Sequence, residues 1–121
     1  MYYSLTDGTK VKLEITNAKL LKFRSERPAE YDIYYKSYKN LGDTDKLDLI
    51  FDVLQIIYTG YICGKYGDDD TDIMTFEEFV ELTPYDIEYN AGVAADLVSA
   101  KKVKASAKPS ERLPKSEKTE A

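Results

Sequence analysis

Residues 45–66 read DKLDLIFDVLQIIYTGYICGKY. Apolar side chains fall at Leu47, Ile50, Phe51, Leu54, Ile57, Tyr58 and Tyr61, the i, i+3, i+4, i+7 spacing of one helical face. Leu49, Val53, Ile56 and Ile62 widen that face until most of the circumference is apolar. A helix of this kind needs neighbours on several sides. At about 1.5 Å per residue it would run roughly 30 Å, the width of a small domain. Lys46, Asp48 and Asp52 in its first half, followed by Gln55, argue against a membrane span. The stretch is expected to be the central core helix, with Asp43 or Thr44 as its cap.

The flanking segments supply the neighbours. Residues 2–5 and 10–15 are β-prone runs around Thr6-Asp7-Gly8-Thr9, and Asp-Gly between two such runs predicts a hairpin. Val11, Leu13 and Ile15 alternate with Lys10, Lys12 and Glu14, so one face should rest on apolar surface. Thr16-Asn17 predicts the N-cap of a short basic helix carrying Leu20, Leu21 and Phe23. Pro28 stops it and opens another over 28–40, PAEYDIYYKSYKN. Asn40-Leu41-Gly42-Asp43 reads as a stop, with Gly42 suited to a left-handed position. After the central helix, Thr75 and Glu78 form a capping-box pattern for a short helix with Phe76, Phe79, Val80 and Leu82 inward. Thr83-Pro84 predicts the start of a last helix over 84–100, whose Ile87, Ala91, Ala94, Ala95, Leu97 and Val98 form a largely small-residue face. Gly92 lowers its intrinsic stability. The fold class expected is mostly α: one small helical domain over 1–100, with an N-terminal hairpin (1–16) packed on about five helices. Residues 101–121 contain no aromatic residue and two prolines, and are rich in Lys, Ser, Glu and Ala. They read as a disordered basic tail that orders only on a partner.

Charge and composition bound the chemistry. The chain has 121 residues, enough for one core. It contains 11 Tyr, no Trp and no His, so the commonest general base and metal ligand is missing. The single Cys63 rules out an intramolecular disulfide, fits a reducing compartment and reads as a small core residue. Residues 67–100 carry ten Asp or Glu and no Lys or Arg, whereas residues 101–121 carry seven Lys or Arg against three Glu. An acidic body is a poor nucleic-acid surface. The opening MYYSLTDG lacks a basic region followed by an apolar run, so no secretory signal is expected. Nothing forms a nucleophile pair or an acid–base set, and clustered acids alone read as a solvated face. The expectation is a chain that is not an enzyme and uses no cofactor or metal.

Two features admit a binding role. Tyr31, Tyr34, Tyr35 and Tyr38 share one stripe of the 28–40 helix. Such a stripe is either a half-buried face whose hydroxyls reach water or a partner-docking surface. Residues 67–78 place Asp69, Met74 and Glu78 at the third, eighth and twelfth positions of a calcium loop. Gly67 stands where the first carboxylate belongs, and Asp72 where the turn glycine belongs. A small Ca²⁺-responsive, EF-hand-like binding protein is therefore the alternative function.

The order of parts — hairpin, ITNAKLLKFRSERPAEYDIYYKSY, the apolar helix, an acidic loop, MTFEEFVELTPYDIEYN and a Lys-rich end — resembles the tail assembly chaperones of long-tailed phages and prophages of Gram-positive hosts. The resemblance covers residues 1–104 and rests on pattern and on the MTFEEFVELTP phrase. It implies a small helical protein of the host cytoplasm, absent from the mature virion, that binds the tape measure protein while the tail tube assembles. The tail tube protein and a second copy of the chain are the further partners it leaves room for, with no nucleic acid and no membrane. The tyrosine stripe and the apolar surface of the last two helices, rimmed by acids, are the expected client surfaces.

Overall fold

A computed structural model describes residues 1–66 and 72–99. It is mostly helical, with a two-stranded antiparallel hairpin at the N-terminus. The elements run β1 (Tyr2–Ser4), β2 (Lys10–Lys12), α1 (Asn17–Glu26), α2 (Pro28–Asn40), α3 (Phe51–Lys65), α4 (Phe76–Glu81) and α5 (Ile87–Leu97). α3 is the hub: α1, α2, α4, α5 and β2 all pack on it. Every residue from Asp52 to Gly64 is buried, as the apolar circumference predicts.

The hairpin closes as Asp-Gly requires. Gly8 takes a φ of +93°, and the Asp7 carboxylate accepts from the Thr9 N–H at 2.9 Å. Tyr3 pairs with Val11, and both point into the core together with Leu5 and Leu13. Beyond β2 the chain leaves the sheet and lies on α3. The Leu13 N–H still donates to Met1 O, but the next one, Glu14 N–H, donates to Gly60 O on the helix. Thr16 caps α1, accepting from Lys19 N–H at 3.2 Å, and Pro28 stands at the start of α2. Of the three large apolar side chains in α1, only Phe23 is fully buried, and Leu21 points outward.

The central helix starts six residues later than its apolar pattern predicts. Residues 43–50 form successive turns, and Asp48, not Asp43 or Thr44, supplies the capping carboxylate. It accepts from the N–H groups of Ile50 and Phe51, both at 2.9 Å, and these bonds hold its carboxyl below the usual range. Leu49 and Ile50 are consequently exposed and not on the core face. Gly42 is not left-handed; α2 unwinds through bonds from Leu41, Gly42 and Asp43 N–H to carbonyls in its last turn.

Asp52 joins the two central helices. It is a buried carboxylate that accepts from Ser37 Oγ (2.8 Å), Asn40 Nδ2 (2.9 Å) and Asp48 N–H (3.0 Å). The residue whose charge counts against a membrane span thus has its place at the α2–α3 interface.

The last helix is shorter than 84–100. Asp86 caps it, accepting from Tyr89 N–H at 3.0 Å, because Thr83 instead donates to Val80 O and extends α4 by a turn. It ends at Leu97, and Ala94 and Leu97 form its buried edge while Ala95 faces water. Residues 100–121, including the expected tail, lie outside the described residues.

Two glycines carry opposite predictions. A Cβ at Gly64 would overlap the Lys12 carbonyl oxygen, whereas one at Gly92 would meet nothing within 4 Å. Gly64→Ala should lower stability by about 3 kcal/mol, through forced separation of hairpin and helix. Gly92→Ala should raise it by about 0.5–1 kcal/mol. Urea midpoints at constant slope measure both. Asp52→Ala orphans three donors and should cost about 3 kcal/mol in the same assay.

Candidate functional site

Among the described residues, two concave surfaces stand out. The larger is a groove of about 670 Å³ between α2 and the hairpin's exit strand, closed at one end by Leu97, Val98 and Ser99. All four tyrosines of the stripe line it, but they do not act alike. Tyr34 is core, with burial holding its phenol far above the ordinary value. Tyr31 is half-buried, edge-on to Phe23 at 6.4 Å. Tyr35 and Tyr38 are 47% and 44% exposed. Each exposed ring stacks on an inner one: Tyr35 on Tyr31 at 6.3 Å and Tyr38 on Tyr34 at 6.2 Å. The stripe is thus both a core face and an open surface, because four residues at helical spacing span more arc than one neighbour covers. Cations attend it: Arg24 lies 5.9 Å from the Tyr31 ring centre and Lys39 lies 5.4 Å from that of Tyr35.

The smaller surface is an apolar notch of about 250 Å³ between the approach to α3 and the start of α5. Leu49, Ile50, Val80, Pro84, Tyr85 and Ile87 wall it, over a floor of Val53 and Leu54. Ile50 is 57% exposed and Tyr85 93%. The last two helices are legible in the sequence as an apolar surface rimmed by acids. The share of Leu49 and Ile50 is not, because their periodicity continues that of α3 while the backbone there has already left the helix.

Several polar groups tie elements together. Tyr58 and Tyr61 hydroxyls donate to Met74 O (2.7 Å) and Asp72 O (3.1 Å), tying the irregular segment before α4 to α3. Tyr3 OH donates to Asn90 Oδ1 at 2.7 Å, and Asn90 Nδ2 to Pro84 O at 3.0 Å. Thr75 and Glu78 complete the capping box in both directions. The side chain expected at the twelfth calcium position is therefore engaged at a helix start. Residues 67–71, which hold the other loop positions, lie outside the described residues. Among the described residues, no group of three or more His, Cys, Asp or Glu is placed to hold a metal, and no helix is long and apolar enough to cross a membrane.

Compared with known proteins, the chain matches no family model, no curated protein and no solved structure.

The buried titratable groups predict a response to alkali. Burial pushes the Cys63 thiol up to about 12, with Lys19 opposing and Glu14 adding to the rise. Burial likewise lifts Tyr58 and Tyr66 to about 12. In the unfolded chain these groups ionise near their ordinary values of 9.0 and 10.0. Folding therefore holds protons that the unfolded chain releases, and their contribution is complete below about pH 9 and drains away toward pH 12. Urea midpoints should stay level on the neutral side of pH 9 and fall above it, by up to about 1.4 kcal/mol per pH unit per group. Cys63 should resist thiol reagents in the native protein and react on unfolding.

Proposed function

We propose that this chain is a tail assembly chaperone of a long-tailed phage, holding the tape measure protein in the host cytoplasm until the tail tube encloses it. The sequence resemblance motivates the reading. The observation that carries it is the placement of exposed apolar side chains. Tyr35 and Tyr38 open onto one concave surface, and Leu49, Ile50, Tyr85 and Ile87 surround another. Scattered apolar residues are ordinary on a surface, whereas clustered ones in concavities mark interaction sites.

A tape measure protein is long and helical, and its apolar stripes are uncovered before assembly. A holdase for it needs to cover a stripe without enclosing it. The tyrosine groove suits that role, since its rings offer broad apolar faces at low entropic cost and their hydroxyls keep the empty groove wet. A helix lying along α2 would place its i, i+3, i+4 and i+7 side chains against Tyr35, Tyr38 and the Leu97–Val98 end. The client leaves when tube polymerisation offers those stripes a competing surface, which accounts for a chaperone missing from the mature particle.

Co-expression with tape measure fragments should give a co-purifying complex and move the fragment into the soluble fraction. Tyr35→Ala with Tyr38→Ala should weaken that complex about tenfold or more while leaving the urea midpoint within about 1 kcal/mol, since both rings are half outside the core. A fragment that stays insoluble with the wild-type chain present would sink the reading.

A further inference from the structure

The two surfaces differ in charge. Lys12 lines the tyrosine groove together with its ion-pair partner Glu14, and Arg24 and Lys39 stand over its rings. The notch has no Lys or Arg in its lining and has Asp86 at its edge. Residues 72–99 contribute seven Asp or Glu and no base, among them Glu81 and Glu88 beside the notch residues Val80 and Ile87. An apolar pocket inside an acidic field selects an apolar side chain bracketed by cations.

The chain carries one such element itself. Residues 101–121 hold seven Lys or Arg against three Glu, and Val103 and Leu113 are their only large apolar side chains. Leu113 sits in Arg112-Leu113-Pro114-Lys115, an apolar anchor between two cations with a proline that favours the extended form. The reach is sufficient. The described chain ends at Ser99, at the far end of α5 from the notch. α5 has 11 residues, about 16 Å, whereas the 14 residues from Ser99 to Leu113 span up to about 45 Å. Tethering at this range gives an effective concentration of about millimolar, enough for one modest anchor to stay seated.

We propose that the notch is the docking site of the chain's own Arg112–Lys115 segment. Leu113 enters over Val53 and Leu54, Pro114 lies against the Tyr85 ring, and Arg112 and Lys115 meet the acidic rim. A proline-containing segment on an aromatic wall is an established recognition mode. The basic tail thereby covers the exposed side chains of Ile50 and Tyr85, and any partner that needs the notch must first displace it. The inference concerns this chain alone and does not depend on the identity of the client.

The chain has no Trp, so Tyr85→Trp in the full-length protein gives a single fluorescent reporter at the notch wall. With the tail seated, its emission is blue-shifted and shielded from iodide. Adding Leu113→Ser, or molar salt, should return it to the emission of water-exposed indole. Emission identical with and without Leu113→Ser overturns the proposal. A nitroxide on Ser116→Cys gives an independent readout, because the buried Cys63 stays unlabelled. Amide signals of Leu49, Ile50 and Ile87 should broaden within one labelled molecule. Broadening centred on Tyr35 and Tyr38, or only between differently labelled copies in a mixture, refutes a tail docked in its own notch.

Discussion

The exit strand of the hairpin lies with its backbone directly on α3, and the rest of the arrangement follows from that contact. Gly60 and Gly64 are one helical turn apart on the same side of α3, and neither has a side chain to hold a neighbour off. At Gly64 the Lys12 carbonyl occupies the space a Cβ would need. At Gly60 the carbonyl accepts the Glu14 N–H at 3.1 Å, and Leu97 of α5 reaches within 2.9 Å of where a Cβ would stand. Each glycine costs the helix about 1 kcal/mol relative to alanine. In return the hairpin, which would be marginal alone, gains a surface to lie on, and α5 gains a seat beside it.

Around this contact the core is polar where elements meet and apolar where they pack. Asp52 gathers two donors from α2 and one from the backbone just before its own helix. Tyr3, Tyr58 and Tyr61 each pass a ring through the core and put the hydroxyl on a partner from another element. These three of the 11 tyrosines act as long struts with a hydrogen bond at the far end. Tyr66 is the exception, with a buried hydroxyl that has no hydrogen-bond partner among the described residues and the Lys22 ammonium 4.5 Å from its ring centre. The groups with raised pKa values are likewise structural. The shifts of Cys63, Tyr58 and Tyr66 come first from burial, with neighbouring charges such as Glu14, Glu30 and Glu26 adding to the rise.

The surface is where a binding reading gains physical shape. The two concavities described lie between elements near the surface. The tyrosine groove is aromatic and attended by cations; the notch is mostly aliphatic, with Tyr85 in its wall and Asp86 at its edge. Surfaces of such different character suit different occupants. On the readings proposed above, a helical client would lie in the first and the basic tail in the second, so both could be engaged in one molecule.

Periodicity, turn chemistry and capping made most of the architecture legible in the sequence. The apolar circumference of 52–64 determines a buried helix, Asp7-Gly8 a hairpin, Thr16, Pro28 and Thr75 three helix starts. All are local patterns whose cause lies within a few residues. What only the tertiary structure decided is where periodicity stops and which neighbour each face meets. Leu47, Leu49 and Ile50 continue the helical pattern, yet the Asp48 carboxylate takes the N–H groups that would extend the helix. The tyrosine stripe is regular, yet α1 and α3 cover only Tyr34 and part of Tyr31. Asp52 looks like a solvent charge until Ser37 and Asn40 are brought to it from α2. The physical reason is that spacing encodes the faces of one element, whereas burial, hydrogen-bond partners and concavities depend on the distance between two.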